Sequence, residues 1–114
     1  MSKLQYFIKN RIWICTQEGT FLGEGRIKLL KEIDTCGSIS MAAKKMNMSY
    51  KKAWSLINSI NAQSKSPLVE RTTGGKGGGG TIVTNAGKKA IKIFEQINLN
   101  SKKELDKELD NISF

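Results

Sequence analysis

The stretch GRIKLLKEIDTCGSISMAAKKMNMSYKKAWSLI, Gly25 to Ile57, decides the fold. Its first part places Ile27, Leu29, Leu30 and Ile33 at helical spacing, and Gly37 closes the segment as a glycine just past a helix end does. Ser38 and Ser40 then offer N-cap oxygens to a short helix, 40–46, whose small residues Ala42 and Ala43 let a neighbouring helix come close. After a tight turn at Asn47 and Met48, Ser49 caps a third helix, 49–63, with Ala53, Leu56, Ile57 and Ile60 on one face. The opposite face is centred on Lys51, Ser55 and Asn58, with Lys52 and Ser59 at its edge. Tyr50 and Trp54 stand at the border between the two, where packing is the first expectation and contact with sugar and phosphate the second. Two short helices, the second with an apolar back and a basic polar front, are the elements of a helix-turn-helix, in which the second helix presents its N-terminal side chains to a major groove.

Working outward, Pro67 disfavours helical geometry in the residue before it and ends the third helix. Leu68 to Thr73 and Thr81 to Thr84 have strand composition, and between them Gly74 to Gly80 is glycine apart from Lys76. A nucleotide P-loop needs Lys followed directly by Ser or Thr and then a helix; here Gly77 follows Lys76 and a strand comes next, so that reading fails. As a hairpin wing over 68–84 the run makes sense, since glycines leave nothing to obstruct a groove and Lys76 can neutralise a phosphate. Upstream, Tyr6 to Cys15 and Thr20 to Leu22 read as a second hairpin, 6–22, turning at Gln17 to Gly19; Gly23 and Gly25 punctuate before the first helix, 26–36. Downstream, Asn85 can cap a fourth helix with Ala90, Ile91, Phe94 and Ile97 as its stripe, and Ser101 with Glu104 resembles a further capping box. The helical segment 86–112 is therefore expected to break near Asn98. Phe94, Ile97, Leu105, Leu109 and Ile112 exceed what a small core needs and are expected to meet a second copy. The expectation is one domain over 1–114: mainly α with small β, a winged helix-turn-helix with an N-terminal β-hairpin and a long C-terminal helix.

Charge narrows the function. The chain has 114 residues and a formal net charge of +9. The excess lies between Ser38 and Lys92, where ten Lys or Arg face a single acid, Glu70. A basic stretch of this kind suits nucleic acid. Histidine is absent, which removes the commonest general base and metal ligand, and no nucleophile has a visible base beside it. Neither enzyme chemistry, nor a metal, nor a cofactor is expected. Cys15 and Cys36 lack metal or redox spacing and are expected reduced and buried. No apolar run approaches the ~18 residues of a membrane span, so a cytoplasmic protein is expected.

The segment Gly25 to Ile57, followed by LVERTTGGKGGGGTIVTNAGK, Leu68 to Lys88, resembles the N-terminal winged-helix domain of the ModE family of molybdate-responsive regulators. GSIS, AAK, MSYKKAW and TGGKGGGG carry the resemblance in order. It implies a DNA-binding transcriptional regulator, dimeric through its N-terminal hairpin and long helices, with double-stranded DNA as partner. By position it puts Ser49, Lys51, Lys52 and Ser55 in the recognition helix and Arg71, Thr73 and Lys76 on the wing; Ser40, Tyr50 and Asn58 complete the candidate DNA contacts. Regulators of that family sense molybdate in a C-terminal pair of small β-barrel domains, which these residues do not contain. A stand-alone DNA-binding domain without its own molybdate sensor is the expectation. The runner-up is a winged-helix interaction module that binds a protein through Leu105, Leu109 and Ile112, and the basic run from Lys44 to Lys92 weighs against it.

Overall fold

The computed structural model describes residues 4–73 and 80–114. The tip of the wing, Lys76 included, lies outside the described residues. A hairpin of β1 (Trp13–Thr16) and β2 (Gly19–Gly23) leads into α1 (Glu24–Cys36), α2 (Ile39–Lys45) and α3 (Tyr50–Ala62). A second hairpin, β3 (Val69–Arg71) with β4 (Thr81–Val83), precedes α4 (Asn85–Asp110). The architecture is mainly helical, with each antiparallel hairpin forming its own two-stranded sheet.

The helix ends obey local chemistry. The Gly37 N–H donates to the Ile33 carbonyl at 2.7 Å with φ of 66°, a left-handed cap that glycine adopts without a Cβ penalty. Ser38 Oγ accepts from Met41 N at 3.1 Å and Ser49 Oγ from Lys52 N at 3.0 Å, so each helix of the pair has an N-cap side chain. Between them Asn47 takes φ of 55°, a left-handed geometry that asparagine tolerates. The core lies where α1, α2 and α3 meet: Leu29, Leu30, Ile33, Ala42, Ala53, Ile57 and Ile60 are buried there, joined by Leu68, Val69 and Val83 from the second hairpin.

Several expectations change. The first strand begins at Trp13, not Tyr6. Its partner β2 runs only from Gly19 to Gly23 before α1 starts, so residues 4–12 have no strand to pair with. Along β1 exposure alternates, turning Ile14 and Thr16 inward; Cys15, expected inside, is exposed. Helix α1 starts before Gly25, at Glu24, whose carboxylate suits a helix N-terminus. Helix α4 is capped by Thr84, one residue ahead of Asn85: Thr84 Oγ1 accepts from Gly87 N at 3.0 Å and donates to the Pro67 carbonyl at 2.7 Å. It then continues without a break at Asn98 to Asp110. No Pro or Gly interrupts it after Gly87, and Asn98 and Ser101 each cost only a fraction of a kcal/mol, about 0.5, inside a helix. Finally, Phe94 is 2% exposed and belongs to the chain's own core, so it is not available to a second copy.

Candidate nucleic-acid interface

Helix α3 is held from behind so that its front is free. Ala53, Ile57 and Ile60 are buried. Arg26 of α1 donates to Ser59 Oγ at 2.9 Å, and partial burial lowers that guanidinium below its ordinary pKa. At the helix end the Gln63 amide donates to the Thr20 carbonyl at 2.8 Å and accepts from the Thr16 hydroxyl, fixing the first hairpin to α3. These contacts make the recognition element one rigid unit with the three-helix core.

The wing is fastened at both ends. Thr81 N donates to the Gly37 carbonyl at 3.0 Å, tying β4 to the end of α1. Thr72 N donates to the Gly80 carbonyl at 2.9 Å and Thr72 Oγ1 accepts from Gly80 N at 2.7 Å, which closes the base of the loop. On the outer side of β3, Asn61 Nδ2 donates to the Val69 carbonyl at 3.0 Å, while its Oδ1 accepts from Leu68 N at 2.9 Å and Val69 N at 3.3 Å. In the ladder register Val69 pairs with Val83, and the flanking bonds Thr72 N to Gly80 O and Thr84 N to Leu68 O make it a non-hydrogen-bonded pair. Its outward N–H and C=O therefore need another partner, and one asparagine side chain from α3 serves as that neighbouring strand.

Of the candidate contacts, Ser40, Ser49, Tyr50, Lys51, Lys52, Ser55, Asn58, Arg71 and Thr73 are all exposed. Lys51, Lys52, Ser55 and Asn58 lie on the outer face of α3, whose first turn carries no acid. A helix N-terminus of this kind is electropositive and favours phosphate. Among the described residues the ion pairs are Arg11 with Glu24, Lys31 with Glu95 and Lys45 with Glu32, so Lys51, Lys52 and Arg71 keep their charge unpaired. Ser40, Tyr50, Arg71 and Thr73 converge on a cleft of about 470 Å³ between α2, α3 and the wing. Sequence reasoning missed what organises this cleft. The Arg71 guanidinium carbon lies 4.4 Å from the centroid of the Trp54 ring, and Tyr50 meets Trp54 edge-on at 6.2 Å. The border position of Trp54 was visible, but its partner comes from another element.

A second surface shares no lining residue with this cleft. Beyond Phe94 no residue of α4 is buried; Leu105 and Leu109 are half-buried, and Ile97, Leu99 and Ile112 are exposed. The N-terminal segment runs beside this half of the helix: the Tyr6 and Phe114 rings meet at a tilt of 50° with centroids 5.2 Å apart, and Phe7, Ile8 and Trp13 share a cleft with Asn98 and Lys102. Leu4 and Phe7 remain 79% and 73% exposed. Among the described residues no helix is long and apolar enough to cross a membrane.

The chain matches known proteins over the elements just described. It is 48% identical over 79 residues to the DNA-binding transcriptional dual regulator ModE of Escherichia coli, covering 69% of this chain and 30% of that one. It is 44% identical over 79 residues to the transcriptional regulator ModE of Haemophilus influenzae, with 69% and 31% covered. Against the molybdenum transport protein ModE of Azotobacter vinelandii the identity is 38% over 97 residues, with 85% and 36% covered. The chain thus spans about a third of the length of the curated relatives it matches. Residues 25–88, from α1 through the wing to the start of α4, match the family described as bacterial regulatory helix-turn-helix protein, lysR family, and the chain belongs to that family.

Proposed function

We propose that this chain binds double-stranded DNA in a sequence-specific way and regulates transcription, as a non-catalytic cytoplasmic protein of ModE-like type. The observation that carries the reading is the exposed front of α3, with Lys51, Lys52, Ser55 and Asn58 unopposed by acids, backed by a buried face and flanked by an anchored wing. In this reading Ser49, Lys51, Lys52, Ser55 and Asn58 enter the major groove. Tyr50, Ser40, Arg71, Thr73 and Lys76 take the flanking backbone and the minor groove edge.

The active species is a homodimer. The radius of gyration is 17.9 Å, against about 13 Å for a compact chain of this size, because the second half of α4 and the N-terminal segment project from the core. An apolar surface of that extent, Leu4, Phe7, Ile97, Leu99, Ile112 and Phe114, is costly to leave in water. Leu105 and Leu109 lie on the same half of α4. A two-fold pairing through it sets two recognition helices about 34 Å apart or a multiple, and so calls for a palindromic site. The reading assigns no molybdate site to these residues.

Selection of bound duplexes from a random pool tests the reading. The expected product is an enriched motif with two inverted half-sites one helical turn or a multiple apart. Recovery of unenriched DNA would assign the chain to non-specific binding, and recovery of nothing would remove DNA from its function.

A further inference from the structure

The Trp54 side chain meets both Tyr50 and Arg71 in the cleft that separates α3 from the wing. The Arg71 guanidinium carbon lies over the Trp54 ring, 4.4 Å from its centroid, a separation at which a guanidinium and an aromatic face attract each other. Among the described residues the Arg71 guanidinium has no side-chain hydrogen bond or ion pair. The lining is rich in hydroxyl residues, Ser40 and Thr73 among them, and contains no carboxylate; Glu70, next to Arg71 in β3, lines a different cleft. An exposed arginine ordinarily loses rotamer freedom when it grips a ligand, and contact with a ring supplies part of that order in advance.

We propose that Trp54 is a positioning residue for Arg71, holding the guanidinium edge-outward so that a backbone phosphate of double-stranded DNA is gripped bidentately in the cleft between α3 and the wing. The inference rests on the DNA-binding reading above and deepens it. The phosphate clamp spans two elements: α3 carries the aromatic face and β3 carries the charge. It therefore fixes the angle between recognition helix and wing on the duplex, while carrying no sequence information itself.

Two experiments test it. In a Trp13→Phe background, which leaves Trp54 as the remaining tryptophan, Arg71→Ala should shift the emission of the free protein, because it uncovers the indole face. Unchanged emission overturns the stack without reference to DNA. In equilibrium titrations with duplex DNA, Trp54→Leu should weaken binding about five- to tenfold, whereas Trp54→Phe, which keeps a ring face, should lose less than about threefold. Added to Arg71→Ala, Trp54→Leu should cost less than about twofold more, since the two act as one device. Arg71→Lys, which keeps charge but not the planar fork, should weaken binding several-fold and not be rescued by lower salt alone.

Equal losses from Trp54→Leu with and without Arg71, or no loss at all, would overturn the inference while leaving DNA binding standing. If Trp54→Leu melts below the assay temperature, the comparison of Trp54→Phe with Arg71→Lys decides: a loss from Trp54→Phe as large as that from Arg71→Lys overturns it. Absence of binding by the unsubstituted chain would instead overturn the DNA reading itself.

Discussion

Asn61→Ala removes a side chain that serves three backbone groups of the wing at once. The Val69 carbonyl, Leu68 N–H and Val69 N–H, bonded at 3.0, 2.9 and 3.3 Å, all lose their partner. A net hydrogen bond contributes about 1 kcal/mol, and a buried group left without one costs about 1 to 3 kcal/mol. Asn61 is half-buried, so water can reach part of the site and the upper figure does not apply. About 2 kcal/mol of destabilisation is the result, or roughly 8 °C in melting temperature for a chain of this length. Asn61→Asp separates the contributions: a carboxylate still accepts from the two N–H groups but cannot donate to the Val69 carbonyl, and should lose about half as much. Thermal melts at one fixed protein concentration, to hold any dimerisation constant, measure both. Because β3 loses its outer partner, wing-dependent DNA affinity should fall further than global stability does. A melting temperature for Asn61→Ala within about 2 °C of the unsubstituted chain would refute the reasoning and mean that β4 alone holds β3.

Other outcomes follow from the same contacts. Gly87→Ala drives a Cβ into the Leu68 carbonyl oxygen, a backbone atom that cannot turn aside, so a denaturant midpoint should fall by the equivalent of about 3 kcal/mol. Lys51→Ala and Ser55→Ala should reduce binding to a selected site more than to scrambled DNA, at about 1 to 3 kcal/mol per base contact; equal losses on both would move these side chains to the phosphate backbone. Sedimentation equilibrium should give twice the monomer mass, and Ile112→Asp with Leu109→Asp should weaken association; a monomer at tens of micromolar would remove the palindrome argument. Titrating molybdate into the chain should release no saturable heat, and a one-site isotherm would place an oxyanion site within these residues.

What was legible in the sequence was the chemistry that acts within a few residues. Gly37, Ser38, Ser49 and Pro67 each act on their own backbone or the next turn, and the periodicity of Ile57 and Ile60 marks one face of one helix. Such signals suffice for the helix-turn-helix. Where the reading failed, the deciding partner was remote. Residues 6 to 12 have strand composition but find no strand beside them, because β2 ends where α1 begins. Ser101 and Glu104 match a capping pattern, yet the same residues are tolerated in mid-helix, and α4 passes through them. Phe94 shares the apolar spacing of the surplus residues, yet with Ile91 it closes the core over α1. In the site, the charge and exposure of Lys51, Lys52 and Arg71 were readable, whereas the Arg71 stack on Trp54 and the Asn61 clamp join residues from different elements. No periodic or capping rule reports such pairings.

The salt dependence of DNA binding tests the central claim most directly. The equilibrium constant for a duplex carrying the selected site should be measured at several salt concentrations, for the unsubstituted chain and for Arg71→Ala with Lys76→Ala, the two charged side chains assigned to the phosphate backbone. The logarithm of affinity should fall linearly with the logarithm of salt at about 0.9 units per phosphate contact, giving a steep slope that the double substitution makes shallower by up to about two units. An affinity that hardly changes with salt, or a slope that the substitutions leave untouched, would contradict the assignment of this face to DNA.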